Sequence, residues 1–338
     1  MRSPPAPLRR PTLEWFAVTL FCVLLSVLSA AEGWLWRIDL SIYDGILSSW
    51  SRPVSTDVAI ISIDDASLAR IGPWPWSRRT HAALIDRAHR AGASAIVLDV
   101  LLDAPSREDP GADIALAQAL RNHGQVILPL AQAVTGAVLS GETLPLAPFA
   151  EAAAALGHSQ TEFDPDGITR SVYLWEGFGG AHHPQLALAL LRVVDPQAAR
   201  NFPPPTGDSD AEDPQWERAD WLRIPFAGPP GTYTHYSYQA LLSGEIPASE
   251  LQGKILLIGA TATGMGDAVP TPTSGLSRPM PGVEVQANVF DALRQNAGGH
   301  LLSPWFAAAV AATLVAILML TLLYADARTG LLAAFLLA

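Results

Sequence analysis

Cysteine and lysine are almost absent from this chain of 338 residues, which has one of each, Cys22 and Lys254. A single cysteine can form neither a disulfide within the chain nor a cysteine-based zinc site, so the fold depends on core burial. Lys and Arg together number 21 against 32 Asp and Glu, which gives a net charge of −11. Because nucleic-acid binding needs clustered positive charge, the composition argues against a nucleic-acid partner.

Charged residues make up only 16% of the chain, and the deficit lies in two stretches near its ends. Residues 15–31 and 305–324 contain no charge and approach the length needed to cross the ~30 Å hydrocarbon core of a bilayer. Tryptophans stand at or near their ends, which is typical of spanning helices. We therefore predict transmembrane helices at residues 13–31 and 305–324. For the first of them, a cleaved signal peptide is the alternative.

The arginines near the N-terminus predict the orientation of these helices. Arg2, Arg9 and Arg10 precede the first one, so the positive-inside rule places residues 1–12 in the cytoplasm. Residues 32–304 then lie in the periplasm or outside the cell, and the loop 325–329 returns to the cytoplasm. The apolar run 330–338 is too short to span a bilayer. We expect it to begin a third helix of a longer, multi-pass protein of the inner (plasma) membrane.

The segment between the two apolar runs alternates between strand and helix patterns. Residues 55–63, 94–98 and 125–130 are apolar and β-branched, and residues 79–91 and 111–122 have helical spacing. Further strands are predicted at 169–175, 221–226 and 254–258, with helices opening at Pro184 and Pro281. The pattern predicts an α/β fold with a mixed, largely parallel sheet and helices on both faces. Residues 195–220, rich in proline and acid, predict a protruding loop.

Acidic and small polar residues follow three of the predicted strands. They are Asp64 and Asp65, then Asp99 and Asp103, then Thr261 and Asp267. Ligands of open parallel sheets bind beyond the carboxyl ends of the strands, where carboxylates could hold a hard cation or the amine of a ligand. The same residues could instead cap helices and close turns.

Two tryptophans and an arginine form a second candidate group. Trp74 and Trp76 alternate with prolines, which hold the segment rigid and extended. They could line a pocket or a dimer surface, or they could close the end of the core. Arg78 could pair with the strand-end carboxylates.

Recognisable catalytic and metal-binding motifs are missing from the sequence. There is no phosphate loop with its lysine, no Gly-x-Ser-x-Gly turn and no His-Glu-x-x-His pair. The adjacent pair His182 and His183 favours a structural or exposed role, because neighbouring rings rarely reach one ion. We predict no cofactor, no metal and no catalytic residue.

Five segments together resemble one known family. They are IDDASLARIGPWPWSRRTHAALI (63–85), GASAIVLDVLL (92–102), DPDGITRSV (164–172), GKILLIGATATGMGD (253–267) and PGVEVQANVFDAL (281–293). In combination they are similar to the second type of CHASE domain, an extracellular sensory module associated with cyclases and histidine kinases. The resemblance covers residues 40–300 or so. It implies a homodimer and a cytoplasmic histidine kinase, nucleotide cyclase or cyclic-di-GMP enzyme, and it names no ligand.

The favoured hypothesis is therefore a sensor that responds to an unknown small molecule or protein outside the cytoplasm. One alternative is an anchored domain with a structural or dimerisation role. The other is an anchored hydrolase that uses the strand-end carboxylates.

Overall fold

The computed structural model describes residues 9–49, 52–135, 138–205, 215–265, 268–275, 277–299 and 303–324. Contacts between residues divide the chain into two units. The first comprises residues 1–43 and 301–338, and the second comprises residues 44–300.

Helices and strands are numbered along the chain. The helices are α1 (Arg9–Ala31), α2 (Trp36–Ser49), α3 (Asp65–Ile71), α4 (Arg78–Arg90), α5 (Pro110–His123), α6 (Ala147–Ala150), α7 (Leu186–Val194), α8 (Pro196–Ala199), α9 (Tyr238–Ser243), α10 (Ala248–Leu251), α11 (Gly282–Arg294) and α12 (Pro304–Tyr324). The strands are β1 (Val58–Ile63), β2 (Ala95–Leu98), β3 (Val126–Thr135), β4 (Val138–Thr143), β5 (Ala155–His158), β6 (Glu162–Phe163), β7 (Thr169–Phe178), β8 (His183–Pro184), β9 (Trp216–Arg223), β10 (Thr234–Ser237), β11 (Ile255–Ala260), β12 (Ala268–Val269) and β13 (Met280–Pro281).

The first unit contains α1 and α12, which pack against each other, and the first part of α2. Within α1 and α12, Glu14–Ala31 and Trp305–Leu322 are long and apolar enough to cross a membrane. Almost none of either stretch is buried, as suits side chains that contact lipid. The predicted cytoplasmic loop 325–329 and the run 330–338 lie outside the described residues.

The second unit is built on a seven-stranded sheet in the order β10-β1-β11-β2-β3-β4, with β5 also paired to β3. All its pairings are parallel except that of β4 with β3. In β1, which pairs with β10 on one side and β11 on the other, Val58 and Ile60 point to one face, and Ala59 and Ile61 point to the other. All four side chains are buried, so both faces of the sheet must be covered.

Helices cover both faces of this sheet, as the sequence predicts. The core on one face joins the sheet to α4, α5 and α9. The core on the other face joins it to α7, α11 and strand β7. The prediction of an α/β fold with a mixed, largely parallel sheet is thus confirmed, together with the two long apolar helices at the ends.

A second, antiparallel sheet was not foreseen. It has the order β6-β7-β8, and β9 also pairs with β7. The prediction of a loop over residues 195–220 was wrong at both ends, because α8 begins at Pro196 and β9 begins at Trp216. Cross-strand contacts explain the early start of β9, since Trp216 donates a hydrogen bond to Glu176 on β7 (2.8 Å). Residues 206–214 of the predicted loop lie outside the described residues.

Candidate functional site

Asp64 and Asp65 follow β1 at the carboxyl end of the main sheet. Asp64 is the N-cap of α3, where it accepts hydrogen bonds from the Ser67 N–H (2.8 Å) and the Ser237 hydroxyl (3.0 Å). Asp65 accepts hydrogen bonds from the N–H (3.2 Å) and the hydroxyl (3.3 Å) of Thr263. Asp64 therefore caps a helix, which is the second of the two roles considered for the strand-end acids. Asp65 holds the loop after β11 next to the end of β1.

Asp99 and Asp103 lie in the segment after β2, where Asp99 is partly buried and Asp103 is exposed. Arg78 faces this segment and donates a long hydrogen bond to the carbonyl of Ala104 (3.5 Å). Burial lowers the pKa of Arg78, and the charges of Asp113 and Asp103 oppose that shift. Arg78 therefore lies near Asp103, one of the predicted strand-end carboxylates.

Trp74 and Trp76 belong to an aromatic cluster between α4 and α9. The rings of Trp76 and Tyr238 lie 4.8 Å apart, and those of Trp76 and Trp74 lie 5.3 Å apart. Trp76 is 6% exposed and its Nε1 donates a hydrogen bond to the carbonyl of Gly72 (2.8 Å). Trp74 is only partly buried. These contacts favour the alternative in which the tryptophans close the end of the core.

His81 lies in the same cluster and is fully buried. Burial lowers its pKa to about 4, and the positive charge of Arg78 acts in the same direction. Burial raises the pKa of Tyr238, whose hydroxyl lies 3.0 Å from Nδ1 of His81. Both partners of this hydrogen bond are therefore neutral near pH 7, as a buried pair should be.

A cavity of about 870 Å³ opens beside the carboxyl end of β11, where parallel sheets bind ligands. Its wall combines the turn before β10, the loop after β11 and the start of α11. One predicted site residue, Thr261, lines the described part of this cavity. It lies in the loop after β11, which Asp65 holds through its hydrogen bond from Thr263. The predicted site residue Asp267 lies outside the described residues.

The polar groups of this cavity are held in place by the protein itself. Glu284, which is 1% exposed, accepts hydrogen bonds from the N–H groups of Gly231 (2.8 Å) and Thr232 (3.0 Å). His235 pairs through Nδ1 with the Ser62 hydroxyl (3.0 Å). Its Nε2 lies 3.7 Å from Oε2 of Glu284 and has no hydrogen-bond partner in the described part of the chain. Because this atom is buried, it faces the carboxylate of Glu284 and not the open part of the cavity.

Sequence reasoning did not single out His235 or Glu284. His235 lies on the edge strand β10, whose four residues THYS carry no clear strand pattern. Glu284 stands in the first turn of α11, in the PGVEV segment that contributed to the family resemblance. Glu284 is the one charged residue among the apolar residues of this segment, and that contrast could have marked it as a candidate site residue.

Comparison with known proteins gives one match. The family model described as CHASE2 domain matches residues 18–323, which include most of α1, nearly all of α12 and everything between them. No curated protein and no solved structure matches the chain.

Proposed function

Because the chain belongs to the CHASE2 domain family, whose model matches residues 18–323, we propose that it is the sensor region of a bacterial transmembrane receptor. CHASE2 is an extracellular sensory domain and is not itself catalytic. The proposed receptor carries a stimulus through its membrane helices to a cytoplasmic histidine kinase, nucleotide cyclase or cyclic-di-GMP enzyme. It works as a homodimer, because output modules of these kinds act in pairs.

The two apolar helices support the proposed placement of the sensor at the membrane. Residues 13–31 and 305–324 span the inner membrane, and residues 32–304 face away from the cytoplasm. Positive charges before the first span, at Arg2, Arg9 and Arg10, hold residues 1–12 inside. Both ends of the sensor are then attached to the membrane, so a rearrangement of the sensor can move one span relative to the other.

The cavity beside the carboxyl end of β11 is the proposed stimulus site. Its polar groups belong to three separate segments, so a ligand bound there would contact all three. The exposed polar side chains of its wall, which include Thr263, Ser277 and Arg278, suit a small polar molecule with hydrogen-bonding groups. Such a ligand changes the receptor only by binding one of its states more tightly than the other.

Single-cysteine labelling tests the orientation. After Cys22→Ser removes the one native cysteine, Ala248→Cys places a thiol at an exposed position of α10. In intact spheroplasts we expect a membrane-impermeant maleimide to label this thiol, whereas Ser3→Cys is labelled only after lysis. Labelling of Ser3→Cys in intact cells, with Ala248→Cys protected, would reverse the proposed topology.

A cavity-filling substitution tests the sensing function in the full-length receptor. Ala268 is exposed and lines the cavity, so Ala268→Tyr is expected to change the output by at least about fivefold, in the range of ordinary allosteric couplings. Autophosphorylation, cyclic nucleotides and cyclic-di-GMP are measured together to identify the output. The matched control Ala248→Tyr, at an exposed alanine outside the cavity lining, should leave the output unchanged.

The structural alternative makes the opposite prediction for the same experiment. An anchored domain that only dimerises would tolerate Ala268→Tyr, and the output would not respond. Its association, measured by analytical ultracentrifugation of the full chain in detergent, would also stay constant in the variant. That combined result would reject the sensor proposal in favour of a structural role.

A further inference from the structure

Glu142, His182 and His183 bring three metal-binding side chains together on the second unit. Nε2 of His182 lies 3.2 Å from one carboxylate oxygen of Glu142, and Nε2 of His183 lies 2.9 Å from the other. The three ligand atoms all lie within 4.8 Å of one another. The group stands outside the cavity described above, and it joins β4 of the main sheet to β8 of the second sheet.

The backbone around the cluster fixes each of its members. The N–H of Phe178 donates a hydrogen bond to Oε1 of Glu142 (2.9 Å) and orients the carboxylate. The ring of His182 packs over Gly177, where a Cβ atom would lie 2.9 Å from two of its ring atoms. The same Cβ atom would first meet the carbonyl oxygen of Gly180, so the close turn of the backbone itself requires glycine at position 177.

The expectation that the adjacent histidines do not face one ion fails in this geometry. Successive side chains point to opposite sides only within a regular strand. His182 stands just before β8, in a turn that contains Gly179 (φ 73°) and Gly180 (φ 148°). The two imidazole centroids lie 4.3 Å apart, and both Nε2 atoms face the same carboxylate.

The carboxylate of Glu142 is held between the N–H of Phe178 and the two histidine rings. His182 is about half exposed, at 53% of its side chain, whereas His183 and Glu142 are largely buried. The cluster thus has two constrained ligands and one side open to solvent.

We propose that Glu142, His182 and His183 bind a divalent transition-metal ion of the zinc class. Two ligand atoms about 2.1 Å from a tetrahedral ion are separated by about 3.4 Å, close to the two distances seen between the rings and the carboxylate. Imidazole nitrogen selects zinc-class ions over magnesium and calcium, which prefer oxygen ligands throughout. Water completes the coordination on the open side at His182.

Metal binding replaces the present contacts between the rings and the carboxylate. Each imidazole coordinates through an unprotonated Nε2, so a proton on that atom moves to Nδ1 or is released to solvent. The bound ion then connects the β3–β4 hairpin to the β7–β8 hairpin. Because this arrangement requires the folded chain, the ion raises the thermal stability of the protein.

Titration of Zn²⁺ alone into the chelator-treated full chain, purified in detergent, tests the proposal. We expect one equivalent to bind by calorimetry, with a rise in melting temperature and with no comparable binding of Mg²⁺. His183→Ala should weaken Zn²⁺ binding at least about tenfold, because even loss of an outer-shell partner has that effect. Co²⁺ should give the visible absorption of a nitrogen- and oxygen-liganded site in the wild-type chain and lose it in His183→Ala.

A matched control separates this site from ordinary surface histidines. His89 is exposed and its ring also neighbours a second histidine, His123, at 5.4 Å between centroids. His89→Gln should leave the stoichiometry and the affinity unchanged. Should His183→Ala unfold, the more exposed His182→Ala provides the same comparison, and circular dichroism without metal verifies the fold. Failure of the wild-type chain to bind one equivalent, or equal binding by a folded site variant, would overturn the proposal.

Discussion

Replacing Arg170 with methionine is expected to lower the free energy of unfolding of the second unit by about 3–5 kcal/mol, as loss of one partner of a buried ion pair does. For a unit of this size, the melting temperature should fall by roughly 6–20 °C. The expectation rests on the burial of Arg170, which is only 1% exposed, and on the three carboxylates that surround it.

The guanidinium group of Arg170 is fully used by these carboxylates. Nε and Nη2 donate to the two oxygens of Asp44 (2.8 and 2.6 Å). Nη1 donates to Asp164 (2.7 Å), and Nη1 and Nη2 donate to the two oxygens of Asp166 (2.9 and 2.8 Å). Burial alone would lower the pKa of Arg170, but the carboxylates hold it above its ordinary value. Removing the guanidinium leaves three neighbouring negative charges without a counter-ion.

Chemical denaturation of the full chain in detergent, followed by circular dichroism, measures this effect. The control is Arg70→Met, which breaks a pair with Glu245 (3.4 Å) at an exposed position. It should cost less than about 1 kcal/mol. Arg170→Lys should recover little of the loss, because an ammonium group cannot make the two-pronged contacts. Equal stability of Arg170→Met and Arg70→Met would contradict the role assigned to the buried cluster.

Arg170 also bears on how the proposed receptor carries a stimulus to its membrane helices. Asp44 lies on α2, which follows the first apolar helix in the chain, and Arg170 lies on β7 of the second sheet. Asp164 and Asp166 belong to a turn before β7, in which Gly167 has φ 79°. One side chain thus ties the segment after the first helix to both the turn and the second sheet.

Local sequence patterns were sufficient for four strands of the main sheet, β1, β2, β3 and β11, but not for its strands β4, β5 and β10. The buried strands β1, β2 and β11 follow from β-branched and apolar runs that end at polar or glycine residues. Helix α5 follows from Pro110 at its first position and from Gly124, which is left-handed at its C-terminus (φ 73°). These signals act over a few residues, so they can be read without knowledge of distant contacts.

Helix α11 shows where such reading fails. The pattern of Val285, Val289 and Leu293 predicts one buried face, but the whole helix from Val283 to Leu293 is buried. Its polar residues form hydrogen bonds with distant partners. Asn288 accepts from the Ala227 N–H (2.8 Å), and Asp291 accepts from the Tyr233 hydroxyl (2.9 Å). Because those partners lie more than fifty residues away, a local pattern cannot show that a polar side chain is buried.

The same limit applies to both candidate sites. The cavity brings His235 next to Glu284, and the proposed metal site brings Glu142 next to His182 and His183. Each pairing depends on the order of strands in the sheets, in which β11 lies between β1 and β2. Strand order is set by the packing of the complete core, which residue spacing along the chain does not encode.

Replacing Trp76 with alanine is expected to lower the free energy of unfolding by about 3–5 kcal/mol, the usual cost of removing a buried tryptophan. The ring is 6% exposed, packs against Tyr238 and donates a hydrogen bond to the Gly72 carbonyl. Trp74→Ala should cost roughly 1–2 kcal/mol, because Trp74 is only partly buried. Denaturation of both variants in the full chain gives the comparison.

The stability of the Trp76 variants decides whether this tryptophan closes the core or lines a pocket. If Trp76 closes the core, Trp76→Phe should restore most of the lost stability, because the phenyl ring refills the space and only the hydrogen bond to Gly72 is lost. A pocket-lining residue would behave differently, since ligand pockets tolerate loss of a side chain without loss of stability. A cost below about 1 kcal/mol for Trp76→Ala would therefore reject the core role and return Trp76 to the candidate ligand-binding residues.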